Sequence, residues 1–200
     1  MMRSPWMPVL IAAAVTLLIG VGVAMEPYFA GDVAVARAIQ SAFPDPGWWA
    51  TPISRLAPAP NKYYVLAVTI VAAFFVGGWR ALALMLGFLV LEQYGAEATK
   101  AVVARPRPSR DLIAVVGNPS GFTFPSTTIT FFAATFGTVG LLAAMRKKAP
   151  HRIPVMVVMF GMLALGCLAR VALGAHWPSD VVLTTVICLT WIWAAGRIVL

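Results

Sequence analysis

The sequence predicts an all-α fold: a bundle of six transmembrane helices with a short interfacial amphipathic helix, residues 1–200 forming one integral-membrane domain. Three observations predict it. Hydrophobic residues make up 60% of the chain and the mean hydropathy is +0.86, more apolar character than a soluble protein of this length can hide. Long apolar runs recur at close to the roughly 20 residues that an α-helix needs to cross a bilayer. Charged residues are only 11% of the chain, and they gather mainly between those runs.

The first span is expected at about 8–25. Its apolar run is long for a signal peptide and offers no clear cleavage site between Thr16 and Ala24, so a retained helix is expected. Between Glu26 and Lys62, apolar residues Val33, Val35, Ala36, Ile39, Ala42 and Phe43 recur at near-helical spacing, interrupted by Arg37 and Gln40. That pattern predicts an amphipathic helix on the membrane surface. Trp48 and Trp49 follow, suited to the interface. Pro52, Pro58 and Pro60 then disfavour regular structure. The remaining spans are expected at about 63–76, 81–103, 125–145, 153–173 and 179–199.

Orientation follows from the short loops. Arg146, Lys147, Lys148 and Arg152 cluster between the fourth and fifth spans, and Arg3, Arg80 and Arg197 share their side. The positive-inside rule makes that side cytoplasmic. The opposite ends then face the periplasm or exterior of a bacterial inner or plasma membrane. The net charge of +8 is dispersed over several loops, which suits lipid headgroups and anionic substrates rather than a nucleic-acid partner. Cys167 and Cys188 lie inside apolar runs without metal-ligand spacing and read as small buried thiols. Carboxylates and histidines are too few and too badly spaced for a metal cage, and no cofactor is implied.

Three polar islands fall on the outer side: 100–108, 124–128 and 170–180. Ionisable residues at a membrane edge are costly and therefore functional candidates. Lys100 and Arg107 can hold phosphoryl oxygens, one as a point charge and one as a planar fork, though interfacial basic residues also serve headgroups. Pro125 and Ser126 read as a helix start, whose first N–H groups and hydroxyl could meet an anion or merely cap the span. Arg170, His176 and Asp180 put a cation, a nucleophile and a carboxylate together. An Asp accepting the ring's Nδ1–H would leave Nε2 free to attack. His151, the other histidine, falls in the opposite basic loop as a solvated residue.

In order, spacing and placement these islands resemble the three motifs of the type-2 phosphatidic acid phosphatase superfamily, six-helix membrane lipid phosphatases. Its first motif is Lys, six residues, Arg-Pro; here Lys100 is followed by Arg107-Pro108. Its second is Pro-Ser-Gly-His; here stands Pro125-Ser126-Thr127-Thr128. Its third is Ser-Arg, five residues, His, three residues, Asp; here Ala169-Arg170 precede His176 and Asp180. The resemblance implies a metal-independent hydrolase or phosphotransferase working through a phosphohistidine. Lys100, Arg107, Arg170 and Ser126 would bind phosphate, His176 would attack and Asp180 would orient it.

Two departures bear on the chemistry. Ala169 removes a hydroxyl, and Thr128 stands where the family's His protonates the leaving oxygen. General acid help is worth about a hundredfold to ten-thousandfold. A lipid diphosphate, with polyprenyl diphosphate favoured, would suffer least, because departing phosphate is a weak base. A replacement acid such as Asp111, Glu97 or Tyr94 is a second explanation. The third is a non-catalytic lipid-phosphate binder or transporter.

Overall fold

The computed structural model describes residues 6–146 and 151–199, and all regular structure among them is helical. Seven helices follow in chain order: α1 (Met7–Met25), α2 (Asp32–Ala42), α3 (Gly47–Ser54), α4 (Lys62–Val103), α5 (Thr127–Met145), α6 (Arg152–Ala172) and α7 (Pro178–Val199). Five of them, α1 and α4 to α7, are long and apolar enough to cross a membrane. Many outward side chains on these helices are apolar and exposed, Leu18, Phe75 and Val102 among them. That inversion of the soluble pattern is what lipid as solvent demands. Arg3, Lys147 and Lys148 of the basic loop assignment lie outside the described residues.

The two spans expected at 63–76 and 81–103 form one helical run of 42 residues. Straight, it would extend about 63 Å, twice the hydrocarbon thickness. It does not run straight, because Gly78 adopts φ 66° and ψ −160°. Side chains forbid that region, so glycine makes the reversal possible. Lys62 and Leu66 of the first arm consequently line one cavity with Leu89 and Gln93 of the second.

α5 is the central element. Its middle turn, Ala133–Gly137, is a π-helical bulge, and the helix is buried on nearly every side. Phe132, Phe136 and Val139 of α5 join Leu163 of α6 and Val181 of α7 in the main core. α1 packs along α7, where Trp191 Nε1 donates to Thr16 Oγ1 at 2.8 Å.

α2 forms where the apolar spacing placed a helix, with Ala36 buried and Val33 and Ile39 against the core. Its polar interruptions have a structural use. Gln40 donates to Ala114 O at 2.7 Å and accepts from Ala114 N at 3.1 Å, while Arg37 Nε donates to Leu112 O at 2.8 Å. The helix α3 corrects the expectation that prolines leave this region irregular, since Pro52 lies inside it. The missing N–H of Pro52 deprives only the exposed start of a short helix, and Ala50 packs against Ala169 and Leu173 in compensation.

Gly174 sets the loop that carries His176. Its φ is +65°, and a Cβ there would lie 2.0 Å from Ala114 O. Only glycine permits both the turn and the approach. Val116 N donates to Leu173 O at 2.9 Å alongside it. The 112–116 segment, α2 and the end of α6 are thereby locked together at one end of the bundle.

Candidate active site

That end of the bundle gathers the three polar islands. Arg107 comes from the loop after α4, Ser126 from the N-cap of α5, Arg170 from the last turn of α6, and His176 from the turn before α7. Arg107 Nη1 lies 3.5 Å from His176 Nε2. The same guanidinium donates to Ala175 O at 2.6 Å and to Ser120 O at 2.9 Å, which fixes its plane. Lys100 and Arg170 also lie within electrostatic reach of His176. The Lys100 ammonium is paired with Glu97 at 2.8 Å.

Two buried polar atoms here have no protein partner: Ser126 Oγ and Arg170 Nε. Buried polar groups are almost always satisfied, so such orphans mark a place for a ligand. The first intrahelical bond of α5 runs from Thr130 N to Ser126 O. The N–H groups of Thr127, Thr128 and Ile129 precede it and are the orphan donors of a helix N-terminus. Cations, a hydroxyl and a helix start therefore converge on one place suited to an anion.

His176 is 1% exposed. Burial, reinforced by Arg170, Arg107 and Lys100, holds its pKa well below the ordinary 6.5, so the ring is neutral at pH 7. Burial also lowers the Arg107 value, with Asp180 and Glu97 acting in the other direction; its guanidinium remains a cation.

The Asp180 carboxylate does not meet the ring directly. His176 Nδ1 lies 3.9 Å from Asp180 Oδ2, and Thr123 Oγ1 sits between them, 3.1 Å from Nδ1 and 2.6 Å from Oδ2. The donor order is forced. An ionised carboxylate only accepts, so the threonine hydroxyl gives it its one proton. Its oxygen then accepts from Nδ1–H, and Nε2 keeps its lone pair facing Arg107. Asp180 Oδ2 takes a further bond from Trp177 N at 2.9 Å. Asp180 Oδ1 is paired with Arg105.

Arg105, two residues before Arg107 in the same loop, has a different place. It is 1% exposed, and its guanidinium joins Asp180 and Asp32 Oδ2, the latter at 3.4 Å. It also donates to Ser179 Oγ at 3.0 Å and to Glu26 O at 3.2 Å. Asp32 accepts from Ser179 Oγ at 2.6 Å and from Ser179 N at 2.8 Å. With two carboxylates on it, Arg105 offers no net charge to an anion. Arg110 likewise turns aside, donating to Gly117 O. Sequence reasoning gave no role to Thr123, Asp32 or Ser179. The available signals were the duplicated Arg-Pro at 105–108 and a lone Asp opening the amphipathic helix.

Thr128 is buried in the wall of a cavity of about 380 Å³, together with Thr127, Arg170, Lys62 and Glu92. None of the replacement acids suggested by the sequence lines it. Asp111 is exposed and bonded to Ser109, Glu97 is paired with Lys100, and Tyr94 is exposed. A second cavity, of about 840 Å³ and almost wholly apolar, runs between α1, α4, α5 and α7 and reaches Phe124 and Pro125 beside Ser126. Among the described residues, no group of three or more His, Cys, Asp and Glu is placed to hold a metal ion. His151 is exposed, and both cysteines are free thiols, partly buried.

Replacing Arg105 by Met leaves Asp32 and Asp180 buried without their cation. Removing one partner of a buried pair costs about 3–5 kcal/mol. Thermal unfolding in detergent should show Arg105→Met strongly destabilised, and an unchanged midpoint would refute the pairing.

Comparisons with known proteins identify the family. A family model described as the PAP2 superfamily matches residues 80–200. The chain is 33% identical over 156 residues to a decaprenylphosphoryl-5-phosphoribose phosphatase of Mycobacterium tuberculosis, covering 76% of this chain and 81% of that one, in each of two strains. A crystal structure of a transmembrane PAP2-type phosphatidylglycerolphosphate phosphatase from Bacillus subtilis superposes with a TM-score of 0.68 at 20% identity, covering 95% of this chain and 94% of the other. With the family model spanning more than half of its length, this chain belongs to the PAP2 superfamily.

Proposed function

We propose that the protein is an integral-membrane phosphatase that removes phosphate from a lipid-linked phosphate or diphosphate through a phosphohistidine on His176. One observation carries the reading: Arg107 contacts the buried His176 ring, with Lys100 and Arg170 in electrostatic reach of it, and a buried hydroxyl and guanidinium nitrogen at this end have no partner among the described residues. A phosphoryl group has the charge and the acceptors to satisfy all of them.

The steps follow from the geometry. Arg107, Arg170 and Lys100 hold the phosphoryl oxygens, with Ser126 and the α5 N–H groups adding donors. His176 Nε2 attacks phosphorus as the bond to the leaving oxygen breaks. Water then attacks the phosphorylated ring and releases phosphate, returning Nε2 to its neutral form. Thr123 and Asp180 keep the attacking tautomer, the hydroxyl acting as a relay to the carboxylate. Thr128 supplies no proton, so departing phosphate from a diphosphate suits this position better than an alkoxide. The apolar cavity beside Ser126 has the character required for a prenyl tail, and the Mycobacterium tuberculosis relative is named a decaprenylphosphoryl-5-phosphoribose phosphatase.

In this reading the two arms of α4 each cross the bilayer, giving six spans, and α2 lies at the outer interface. The site faces the periplasm or exterior, opposite Arg146 and Arg152. A chain free of Cys167 and Cys188 and carrying one new cysteine at Ser109 or Ala149 tests this. An impermeant reagent applied to intact cells should label the first and spare the second; the reverse pattern would invert the topology.

Purified His176→Ala should release no phosphate from a polyprenyl diphosphate and form no acid-labile phosphoprotein. Wild-type turnover in that variant would end the phosphohistidine mechanism, and lipid binding without turnover in the native chain would favour a binding protein.

With His151→Gln, His176 is the sole histidine and can be followed by 15N NMR. It should be neutral and protonated on Nδ1 at about pH 6, below the ordinary titration point. The unfolded chain binds its proton near pH 6.5 and the folded chain only well below it. Stability present at neutral pH is therefore lost as pH falls through that window. Thr123→Val should mix the tautomers and lower kcat about tenfold to a hundredfold, the worth of one hydrogen bond to a charged group. Titration at pH 6.5, or an unchanged tautomer in Thr123→Val, would remove the relay.

A further inference from the structure

We propose that Glu92 is a catalytic acid of this site: its carboxyl group protonates the leaving oxygen when the substrate is a phosphate ester. The proposal rests on the phosphatase reading above and supplies what Thr128 does not. Cleavage of an alkyl phosphate expels a strongly basic oxygen, and a positioned proton is then worth about a hundredfold to ten-thousandfold.

The position of Glu92 carries the argument. It lines one cavity with Arg170, a proposed phosphate-binding residue, and with Thr127 and Thr128, which follow Ser126 in the chain. It also lines the apolar cavity that reaches Phe124 and Pro125. Among the described residues, only Glu92 borders both cavities. With phosphate among the cations and the tail in the apolar space, the scissile ester oxygen falls where the two meet. The Glu92 carboxylate is turned toward the first turn of α5, its Oε1 being 3.5 Å from Thr130 Oγ1.

Chemistry selects it as well. The other protic side chains in the wall of the polar cavity are hydroxyls, an amide, Lys62 and Arg170. Hydroxyls and amides are not acids near neutral pH, and Lys and Arg give up protons only far above it. Glu92 is the only carboxylic acid there. The charged and titratable groups facing it are Lys62 from the first arm of α4, Glu97 and Lys100 from the next turns, Arg170 from α6 and Cys188 from α7.

The step balances. As the bond from His176 Nε2 to phosphorus forms, the ester P–O bond breaks and the proton of Glu92 passes to the departing oxygen, directly or through one water. The Glu92 carboxylate then takes a proton from the water that attacks phosphohistidine, which restores the acid and frees phosphate.

The test compares Glu92→Gln with the native chain on three substrates: a polyprenyl monophosphate, the matched diphosphate and p-nitrophenyl phosphate. Loss on the monophosphate should be about a hundredfold or more. The other two, whose leaving groups need little protonation, should change by less than about threefold. The alkaline fall in kcat on the monophosphate should vanish in the variant. Thr128→His added to Glu92→Gln should recover monophosphate activity by placing an acid across the same cavity. Equal loss on all three in a variant that unfolds at the native temperature, or undiminished monophosphate activity, overturns the proposal. Should Glu92→Gln not fold, Glu92→Asp keeps the acid but retracts it, and selective loss on the monophosphate is again the expected result. The underlying phosphatase reading fails separately, by absence of phosphohistidine from the native chain on the diphosphate.

Discussion

Arg105 carries its charge to a place that solvent hardly reaches, and it can stay there only because two carboxylates meet it. An isolated buried charge would cost far more than the fold could offset. The two acids come from distant places: Asp32 opens α2, and Asp180 lies in the first turn of α7. The guanidinium itself belongs to the loop after α4. One buried ion cluster thus ties three segments, and the site hangs from it. Trp177 N and the Thr123 hydroxyl are held by the same Asp180 oxygen, and Thr123 holds the ring of His176.

The cluster also explains the division of labour among the basic residues. Arg105 and Arg107 are two residues apart, yet one is neutralised and the other faces the histidine. A charge matched by carboxylates organises the protein. Charges left without carboxylates at one place create a positive potential that only a ligand relieves. Lys100, with Glu97 on its ammonium, stands between these extremes. In the proposed mechanism the burial that keeps His176 uncharged also leaves its lone pair free to attack at neutral pH, so desolvation and the proposed role point the same way.

The bundle places this site beside apolar space. α5 is buried along most of its length, and its N-terminus delivers the orphan N–H groups to the site. The apolar cavity beside it lies against α1 and α7, with glycines such as Gly20, Gly87 and Gly95 in its wall. Small side chains leave room that larger ones would fill. A polar end and an apolar space sharing Glu92 form a surface fitted to an amphiphile.

The apolar runs determined by themselves that the chain is a helical membrane protein, because a bilayer crossing demands length and composition and both are local properties. The alternation of those runs led in the same way to the expectation that Lys100, Arg107, Ser126, Arg170, His176 and Asp180 share one end of the bundle. Local patterns could not decide partners. That Pro52 is held in a helix, that Arg105 is spent on Asp32 and Asp180, and that Thr123 stands between His176 and Asp180 are results of packing between segments far apart in the chain. Glu92 shows the same limit: eight positions before Lys100 it is one more acid on a long helix, and only the reversal at Gly78 and the approach of α5 and α6 bring it into one wall with Thr128 and Arg170.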